Sequence, residues 1–249
     1  MDRLISRDDT PFFARSRANL AGNSSSYINI TTLCNILSHR TRKTVRIIPT
    51  ILLHRRNDDD IILQSVGNNL TTNAAATLGN HKRVIVMPTE AEMRLHRCCF
   101  TGHRPEKLNR SEKEIKSALR KEINQAIQDG LTVFITGMAR GVDLWAAEII
   151  LEVRKRNKAI KLICAIPHEG FESRWSAGWK QLYRYVQEEA DLVRIICKGY
   201  HTGVYQIRNE WMVNHSSRVI AVFNGQASGT KNTIDYAHRQ GVPVVQIEG

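Results

Sequence analysis

The sequence has few of the features that mark membrane-spanning, secreted or disulfide-linked proteins. Its 249 residues contain no apolar run near the roughly 18 residues that a membrane-spanning helix needs. The first residues also lack the continuous apolar core of a signal peptide. The five cysteines are an odd number without the spacing of a disulfide framework, so reduced, buried thiols are expected. These absences predict a cytoplasmic protein with no membrane partner.

The overall composition is that of an ordinary globular protein. Hydrophobic residues make up 42% of the chain and charged residues 24%, which argues against a disordered or fibrous protein. The formal net charge of +12 would attract polyanions or phosphorylated small molecules. Charge alone does not define a binding site, so it gives only weak support for a nucleic-acid partner.

The first 92 residues differ from the rest. They contain three aromatic residues and no tryptophan, together with polar tracts such as GNNLTTNAAATLGN. Because few large side chains are available to offset the entropy of ordering the chain, we predict a largely disordered or loosely attached extension over residues 1–92. The alternative is a small subdomain, since the apolar segments at 45–53 and 84–87 have the character of strands.

From residue 93 onward the pattern predicts one α/β domain. Continuous apolar segments typical of buried strands alternate with amphipathic segments typical of helices. The predicted strands are 95–101, 131–136, 160–166, 191–197, 218–223 and 242–247. The first predicted helix, 111–129, begins with a capping box of Ser111 and Glu114. This alternation predicts a Rossmann-like three-layer α/β/α sandwich with a mainly parallel sheet over residues 93–249.

Glycines are concentrated in the turns that lead from a strand into the next helix. Eight of them fall there, at Gly102, Gly137, Gly141, Gly170, Gly199, Gly203, Gly225 and Gly229. Only Gly130 and Gly241 occupy the opposite, helix-to-strand turns. In an open parallel sheet the strand-to-helix edge is where ligands bind, because helix N-termini present unpaired N–H groups there. The sequence therefore predicts one ligand-binding crevice along that edge.

Several motifs in a fixed order resemble a known family. CCFTGHRPEKL, ITGMARGVDLWAAE, AIPHEG, YQIRNEWMVNHSSRVIAV and SGTKNTIDYA together are similar to the YpsA-type branch of the SLOG superfamily. That superfamily includes the DNA-processing protein DprA and the LOG phosphoribohydrolases. The resemblance runs from about residue 97 to the end of the chain and implies a Rossmann-like domain that binds a nucleotide or a nucleotide-derived ligand.

The resemblance also implies a set of ligand-binding residues, to which His168 of the PHEG turn is added as a candidate. The full set is Thr101, Gly102, His103, Arg104, Gly137, Arg140, Gly141, Asp143, His168, Arg208, Asn209, Ser228, Gly229, Thr230 and Thr233. From chemistry alone, the guanidinium groups are suited to phosphate. Asp143 is either a helix cap or a ligand for a ribose hydroxyl, and His168 is either a ligand contact or a hydrogen-bonded structural histidine.

One departure from the LOG pattern bears on catalysis. The LOG motif requires a glutamate three residues after its threonine, and this chain has Thr233 at that distance from Thr230. We therefore assign no catalytic residue and no metal site, and we predict a sensor or regulatory protein that binds a nucleotide-like small molecule. The alternatives are a nucleotide N-glycosidase that uses Glu169, Asp143 or Asp235, and a DprA-like module that binds single-stranded DNA. A protein partner or a homo-oligomer stays open, and no cofactor is assigned.

Overall fold

The protein is represented by a computed structural model, which describes the backbone of residues 51–57, 60–65 and 83–249 and the side chains from residue 88 onward. In its first part, β1 (Ile51–Asn57) pairs antiparallel with β2 (Asp60–Ser65), and β2 pairs parallel with β3 (Arg83–Met87). The apolar segment 84–87 thus lies in a strand. The prediction of a disordered extension otherwise falls largely outside the described residues.

The chain divides between Thr89 and Glu90 into two compact units. The second unit alternates strands and helices. Its elements are α1 (Glu90–Leu95), β4 (Arg97–Gly102), α2 (Glu112–Gln128), β5 (Val133–Thr136), α3 (Val142–Arg156), β6 (Lys161–Ile166), α4 (Ala177–Glu189), β7 (Leu192–Ile195), α5 (Val204–Asn214), β8 (Arg218–Phe223), α6 (Gly229–Arg239) and β9 (Val244–Glu248), with a 3-10 turn at Pro105–Lys107.

All six strands of this unit form one parallel sheet in the order β7-β6-β5-β4-β8-β9. Helix α3 packs against α2 and α4, whereas α5 packs against α6. Because crossovers between parallel strands are right-handed, the reversal of strand order at β4 places these two groups of helices on opposite faces. The predicted Rossmann-like three-layer α/β/α sandwich is therefore confirmed.

The capping box at the start of α2 is confirmed in detail. Ser111 is the N-cap, and its hydroxyl accepts a hydrogen bond from the backbone N–H of Glu114. In return the Glu114 carboxylate accepts from the backbone N–H of Ser111 at 3.0 Å. Helix α2 then buries its apolar face, consisting of Ile115, Leu119, Ile123 and Ala126. Local sequence signals are sufficient here because every group involved lies within one helix.

The cysteines in the sheet are buried free thiols. Cys98, Cys99 and Cys164 lie in β4 and β6 and are completely enclosed. Burial disfavours the thiolate and raises the pKa of Cys99 to about 12. The expectation of buried, unbridged thiols is met by these three, whereas Cys197 is only partly buried and Cys34 lies outside the described residues.

Trp175 and Trp179 have helical spacing in the sequence, but the start of α4 lies between them. Trp175 precedes this helix, which begins at Ala177, and its ring lies 5.6 Å from the ring of Tyr183. Trp179 is within the helix and packs on Trp145 of α3 at 6.3 Å. These rings support helix packing.

Within the part of the chain that the structure describes, no helix is both long and apolar enough to cross a bilayer.

Candidate functional site

The strand order reverses between β4 and β8, and this switch point organises the candidate site. β4 lies between β5 and β8, with Cys99 opposite Ile135 on one side and Gly102 opposite Val222 on the other. The loops that follow these three strands therefore emerge side by side at the carboxyl edge of the sheet. In open α/β sheets a crevice forms outside the strand ends at such a point.

The loops after β4 and β5 are packed tightly against each other. A Cβ atom at Gly102 would lie 2.5 Å from the Val142 side chain. A Cβ atom at Gly141 would lie 2.8 Å from the carbonyl oxygen of His103 and 2.9 Å from Pro105, and Gly141 also has a φ of +87°. These two glycines are required by contacts within the protein.

A buried ion pair lies beneath this packed region. The Arg208 guanidinium of α5 donates to the carbonyl oxygen of Gly137 and lies 3.7 Å from the Asp143 carboxylate of α3. The two side chains are 7% and 6% exposed. Burial raises the pKa of Asp143 to about 6, although the positive charge of Arg208 opposes the shift. Arg208 thus joins α5 to the β5–α3 loop from inside the protein.

Backbone contacts hold the β5–α3 loop in place. The Asp143 carboxylate accepts from the backbone N–H of Ala139 at 3.2 Å, which is a loop contact rather than a helix cap. The Thr136 hydroxyl donates to the carbonyl of Asp143 at 2.9 Å and accepts from the N–H of Met138 at 3.2 Å. Met138 has a φ of +62°, and no sequence signal had marked it. These hydrogen bonds fix the conformation of the β5–α3 loop.

Five other glycines on the same edge have empty space around them. A Cβ atom at Gly170, Gly199, Gly203, Gly225 or Gly229 would meet no heavy atom within 4 Å. They belong to the loops after β6, β7 and β8. The backbone is therefore uncovered at these loops, as it also is at Gly130 and Gly241 on the opposite edge, whereas the loops after β4 and β5 are filled by protein atoms.

The β8–α6 loop carries the SGTKNT motif at the start of α6. Ser228 is the N-cap, and its hydroxyl accepts from the backbone N–H of Lys231 at 3.2 Å. Thr230 is buried, and the Thr233 hydroxyl donates to the carbonyl of Gly229 at 2.8 Å. Because this bond uses the only proton of the Thr233 hydroxyl, this hydroxyl donates within α6 and has no second proton to donate to a ligand.

The β4 loop is connected to the loops on both sides. Asn224 of the β8–α6 loop donates to the carbonyl of Lys107 at 2.7 Å. The His103 ring stacks on Phe223 at 5.8 Å, and burial followed by the charge of Lys107 lowers the pKa of His103. Thr101, at the end of β4, is also buried. The loops after β4, β5 and β8 thus lie together, whereas the loops after β6 and β7, which were predicted to share the same crevice, meet around His168.

The three predicted crevice arginines have different environments. Arg104 is exposed on the β4 loop. Arg140 is partly exposed and donates to Glu106 at 3.0 Å, whereas Arg208 is buried. Asn209, next to Arg208 on α5, is partly buried. Of these arginines, Arg104 is the one whose charge faces solvent at the switch point without an ion pair to a described residue.

His168 lies away from the switch point, within a group of aromatic rings. Its ring is 5.9 Å from Phe171, 5.6 Å from Tyr200 and 6.2 Å from Tyr205, measured between centroids. Only His168 of this group had been predicted as a site residue. The loops after β6 and β7 bring the others to it, and their separation along the chain left no local signal.

Among the side chains that the structure describes, no three histidine, cysteine, aspartate or glutamate residues lie close enough to hold a metal ion. The donors of the site are instead backbone N–H groups, hydroxyls, amides and guanidinium groups.

The sequence model of the YspA SLOG family matches residues 98–243, which cover the second unit from β4 to the end of α6. The chain belongs to this family. Similar curated members are UPF0398 proteins. That of Oceanobacillus iheyensis is 28% identical over 138 residues, covering 52% of this chain and 74% of its own length. That of Bacillus thuringiensis strain Al Hakam is 28% identical over 130 residues, covering 51% and 71%.

Two solved structures are similar to this chain at a lower level. The X-ray structure of DNA processing protein A from Streptococcus pneumoniae has 22% identity and a TM-score of 0.47, covering 63% of this chain. This chain spans about half of that protein, 52%. A Helicobacter pylori DNA processing protein A, described for its single-stranded DNA binding mode, has 17% identity and a TM-score of 0.46, with coverages of 64% and 68%.

Proposed function

We propose that this protein binds a nucleotide or a nucleotide-derived ligand at the carboxyl edge of its sheet and acts as a sensor or regulatory module. The observation that carries the proposal is the unfilled space around Gly225 and Gly229, on either side of the Ser228 N-cap, beside the switch point between β4 and β8. Membership in a SLOG family supports the same conclusion.

The start of α6 has the chemistry to hold a phosphate group. Its first-turn N–H groups and the positive end of the helix dipole favour an anion, and α6 is 11 residues long. Gly229 has no side chain, so a phosphate oxygen can approach its backbone closely. Arg104 and Lys107 are exposed on the β4 loop, which is connected to this loop through Asn224. Their positive charges add to the attraction.

Two of the three carboxylates considered for hydrolysis are held in ion pairs. Asp143 is buried in its contact with Arg208, and Asp235 pairs with Lys231 one turn earlier on α6. Glu169 is exposed on the β6 loop. Thr233 stands where the LOG motif has its glutamate, and its hydroxyl is bonded to Gly229. These placements favour binding over cleavage of a nucleotide.

The test is calorimetric titration of the full chain with nucleoside mono- and diphosphates, using a matched pair of variants. Gly229→Asp places a negative charge in the first turn of α6, and Gly178→Asp does the same in the first turn of α4, where a Cβ atom is equally unobstructed. Both charges favour their helix dipoles, so both variants should fold. We expect binding to weaken about tenfold or more in Gly229→Asp only.

Two results would contradict the proposal. Wild-type protein that binds none of these nucleotides would remove it, as would equal affinity in the two aspartate variants. Release of free base from a bound nucleotide, abolished by substituting one carboxylate, would replace it with the N-glycosidase alternative. Tight binding of an oligothymidylate with a steep salt dependence, and no binding of mononucleotides, would favour a single-stranded DNA partner instead.

A further inference from the structure

Four aromatic side chains from three elements meet at the carboxyl ends of β6 and β7. We call His168, Phe171, Tyr200 and Tyr205 the aromatic cluster. Besides the contacts of His168, the Phe171 and Tyr205 rings lie 5.7 Å apart and the Tyr200 and Tyr205 rings 6.3 Å apart. All five ring pairs of the cluster are tilted or edge-on, and none is stacked face to face.

The tyrosines of the aromatic cluster are unusually exposed. Tyr200 is 71% exposed and Tyr205 is 42% exposed. Both flank the β7–α5 turn, where Gly199 and Gly203 have open space around them. Large exposed aromatic groups in a glycine-rich loop region are typical of recognition surfaces, because they present much apolar area with little side-chain entropy to lose.

His168 contributes a polar group inside the aromatic cluster. Its Nδ1 lies 2.7 Å from the carbonyl oxygen of Glu169, which can only accept, so Nδ1 carries the proton. In the neutral imidazole, Nε2 is then a hydrogen-bond acceptor. This atom is buried and has no hydrogen-bond partner among the described residues, in a side chain that is only 9% exposed. A buried polar atom without a partner is uncommon and calls for an explanation.

The two observations specify complementary chemistry. Exposed tyrosine faces favour a flat aromatic ring, and an unpaired acceptor beneath them favours a ring that carries an N–H donor. Nucleobases combine both properties. Nε2 is buried, so a base reaches it only if a neighbouring side chain moves. The exposed Tyr200 ring contacts His168 edge-on.

We propose that the aromatic cluster is the base-binding subsite, in which Tyr200 and Tyr205 stack on a nucleobase and His168 Nε2 accepts one of its N–H groups. This inference rests on the proposed function, which concerns the phosphate end of the same ligand. Helix α5 links the two regions, since it carries Tyr205 in its first turn and packs against α6, whose start is the proposed phosphate site.

The experiment compares the affinity for each nucleoside diphosphate with the affinity for inorganic pyrophosphate, which has the two phosphates but no base. Full-length protein is titrated with both kinds of ligand, and the four common bases are tested. The variants are Tyr200→Ala, Tyr205→Ala, the conservative Tyr200→Phe, and the control Tyr185→Ala on α4, whose ring is 40% exposed. Thermal unfolding of each variant verifies that the fold is intact.

We expect at least one nucleoside diphosphate to bind more tightly than pyrophosphate. Loss of one stacked ring should weaken that binding about tenfold and leave pyrophosphate binding unchanged. Tyr200→Phe should retain the wild-type affinity, because stacking needs the ring and not the hydroxyl. His168→Phe keeps a ring but removes the acceptor, so it should weaken nucleoside diphosphate binding severalfold.

The two proposals fail in distinguishable ways. Equal wild-type affinity for pyrophosphate and every nucleoside diphosphate would overturn the base subsite and leave the phosphate site standing. Folded tyrosine variants that bind nucleoside diphosphates as well as wild type, or that lose both ligands together, would also overturn it. Failure of every ligand to bind would overturn the proposed function, and the base subsite with it.

Discussion

Two groups of glycine turns lie on the same edge of the sheet for different physical reasons. Gly102, Gly137 and Gly141, after β4 and β5, are required because other parts of the protein occupy the space of a side chain. Gly225 and Gly229, after β8, and Gly199 and Gly203, after β7, have open space around them. A glycine-rich turn therefore lets the backbone pack closely against other parts of the protein in the first group. In the second group it leaves the backbone open to solvent or to a ligand.

The comparison divides the predicted site into a scaffold and a recognition surface. The scaffold contains the Asp143–Arg208 pair and the interlocked loops after β4 and β5. The proposed recognition surface contains the start of α6 and the loops after β6 and β7. Substitutions in the scaffold should change the free energy of unfolding, and substitutions in the recognition surface should change binding. The following predictions test that division, beginning with the largest effect.

Arg208→Ala should destabilise the protein by about 3–5 kcal/mol, because it leaves the Asp143 carboxylate buried without its cation. Arg140→Ala is the matched control, since its ion pair with Glu106 is partly exposed and should contribute at most about 1 kcal/mol. Urea unfolding monitored by tryptophan fluorescence measures both. If Arg208→Ala lowers the free energy of unfolding by less than about 1 kcal/mol, Arg208 is not part of the scaffold and belongs to the binding surface.

The raised pKa of Asp143 predicts a pH dependence of stability. Between the usual aspartate pKa of 3.8 and the folded-state value of about 6, the folded protein holds a proton that the unfolded chain releases. The corresponding stabilisation is complete below pH 3.8 and is lost as the pH rises through about 6, a change of up to about 3 kcal/mol.

Asp143→Asn should remove this contribution. Urea unfolding of wild type and variant is compared between about pH 4 and pH 7, where the variant should lose less stability as the pH rises. Parallel curves would show that Asp143 titrates normally and is not held in a desolvated scaffold.

Gly141→Ala and Gly225→Ala separate backbone strain from steric contact. Their φ angles are nearly equal, at +87° and +85°, but only Gly141 has protein atoms where the new Cβ would lie. Gly225→Ala should lose about 1 kcal/mol from its positive φ. Gly141→Ala should lose more from its backbone, because its ψ of −125° also lies outside the left-handed helical region. Gly141→Ala should lose about 2 kcal/mol more from overpacking. Equal thermal stability of the two variants would remove the distinction between the two loops.

Gly229→Ala should have the smallest effect on stability, within about 0.5 kcal/mol of wild type, because its Cβ enters open space at the first position of α6. The same methyl group lies where a phosphate is expected to approach, so nucleotide affinity should fall. Differential scanning calorimetry and titration of one protein preparation test both statements. A marked drop in melting temperature would place Gly229 with the scaffold glycines.

Much of the fold was predictable because its signals are local. The capping box of Ser111 and Glu114, the apolar face of α2 and the uninterrupted apolar strands each depend on residues in one element. The position of the glycines at strand-to-helix turns, and hence the edge that holds the site, was predictable for the same reason. Trp175 shows where local reasoning fails, since its helical spacing continued into a turn that precedes α4.

The environment of each site residue was not predictable. Arg104, Arg140 and Arg208 look alike as predicted phosphate donors, yet one is exposed, one is paired and one is buried. Arg208 contacts Gly137 across 71 positions of the chain, and no pattern within a helix encodes that contact. The aromatic cluster was missed for the same reason, because its rings come from the β6–α4 loop, the β7–α5 loop and α5.

The amino-acid sequence by itself determined the order of strands and helices, the parallel sheet and the edge on which the loops gather, because propensity, capping and apolar periodicity act over a few neighbouring residues. Only the tertiary structure decided at which glycines other protein atoms occupy the space of a side chain and at which that space is open. It also decided which charges are buried in pairs. Those properties depend on atoms that are distant along the chain and become neighbours only when the sheet and both helix layers have assembled.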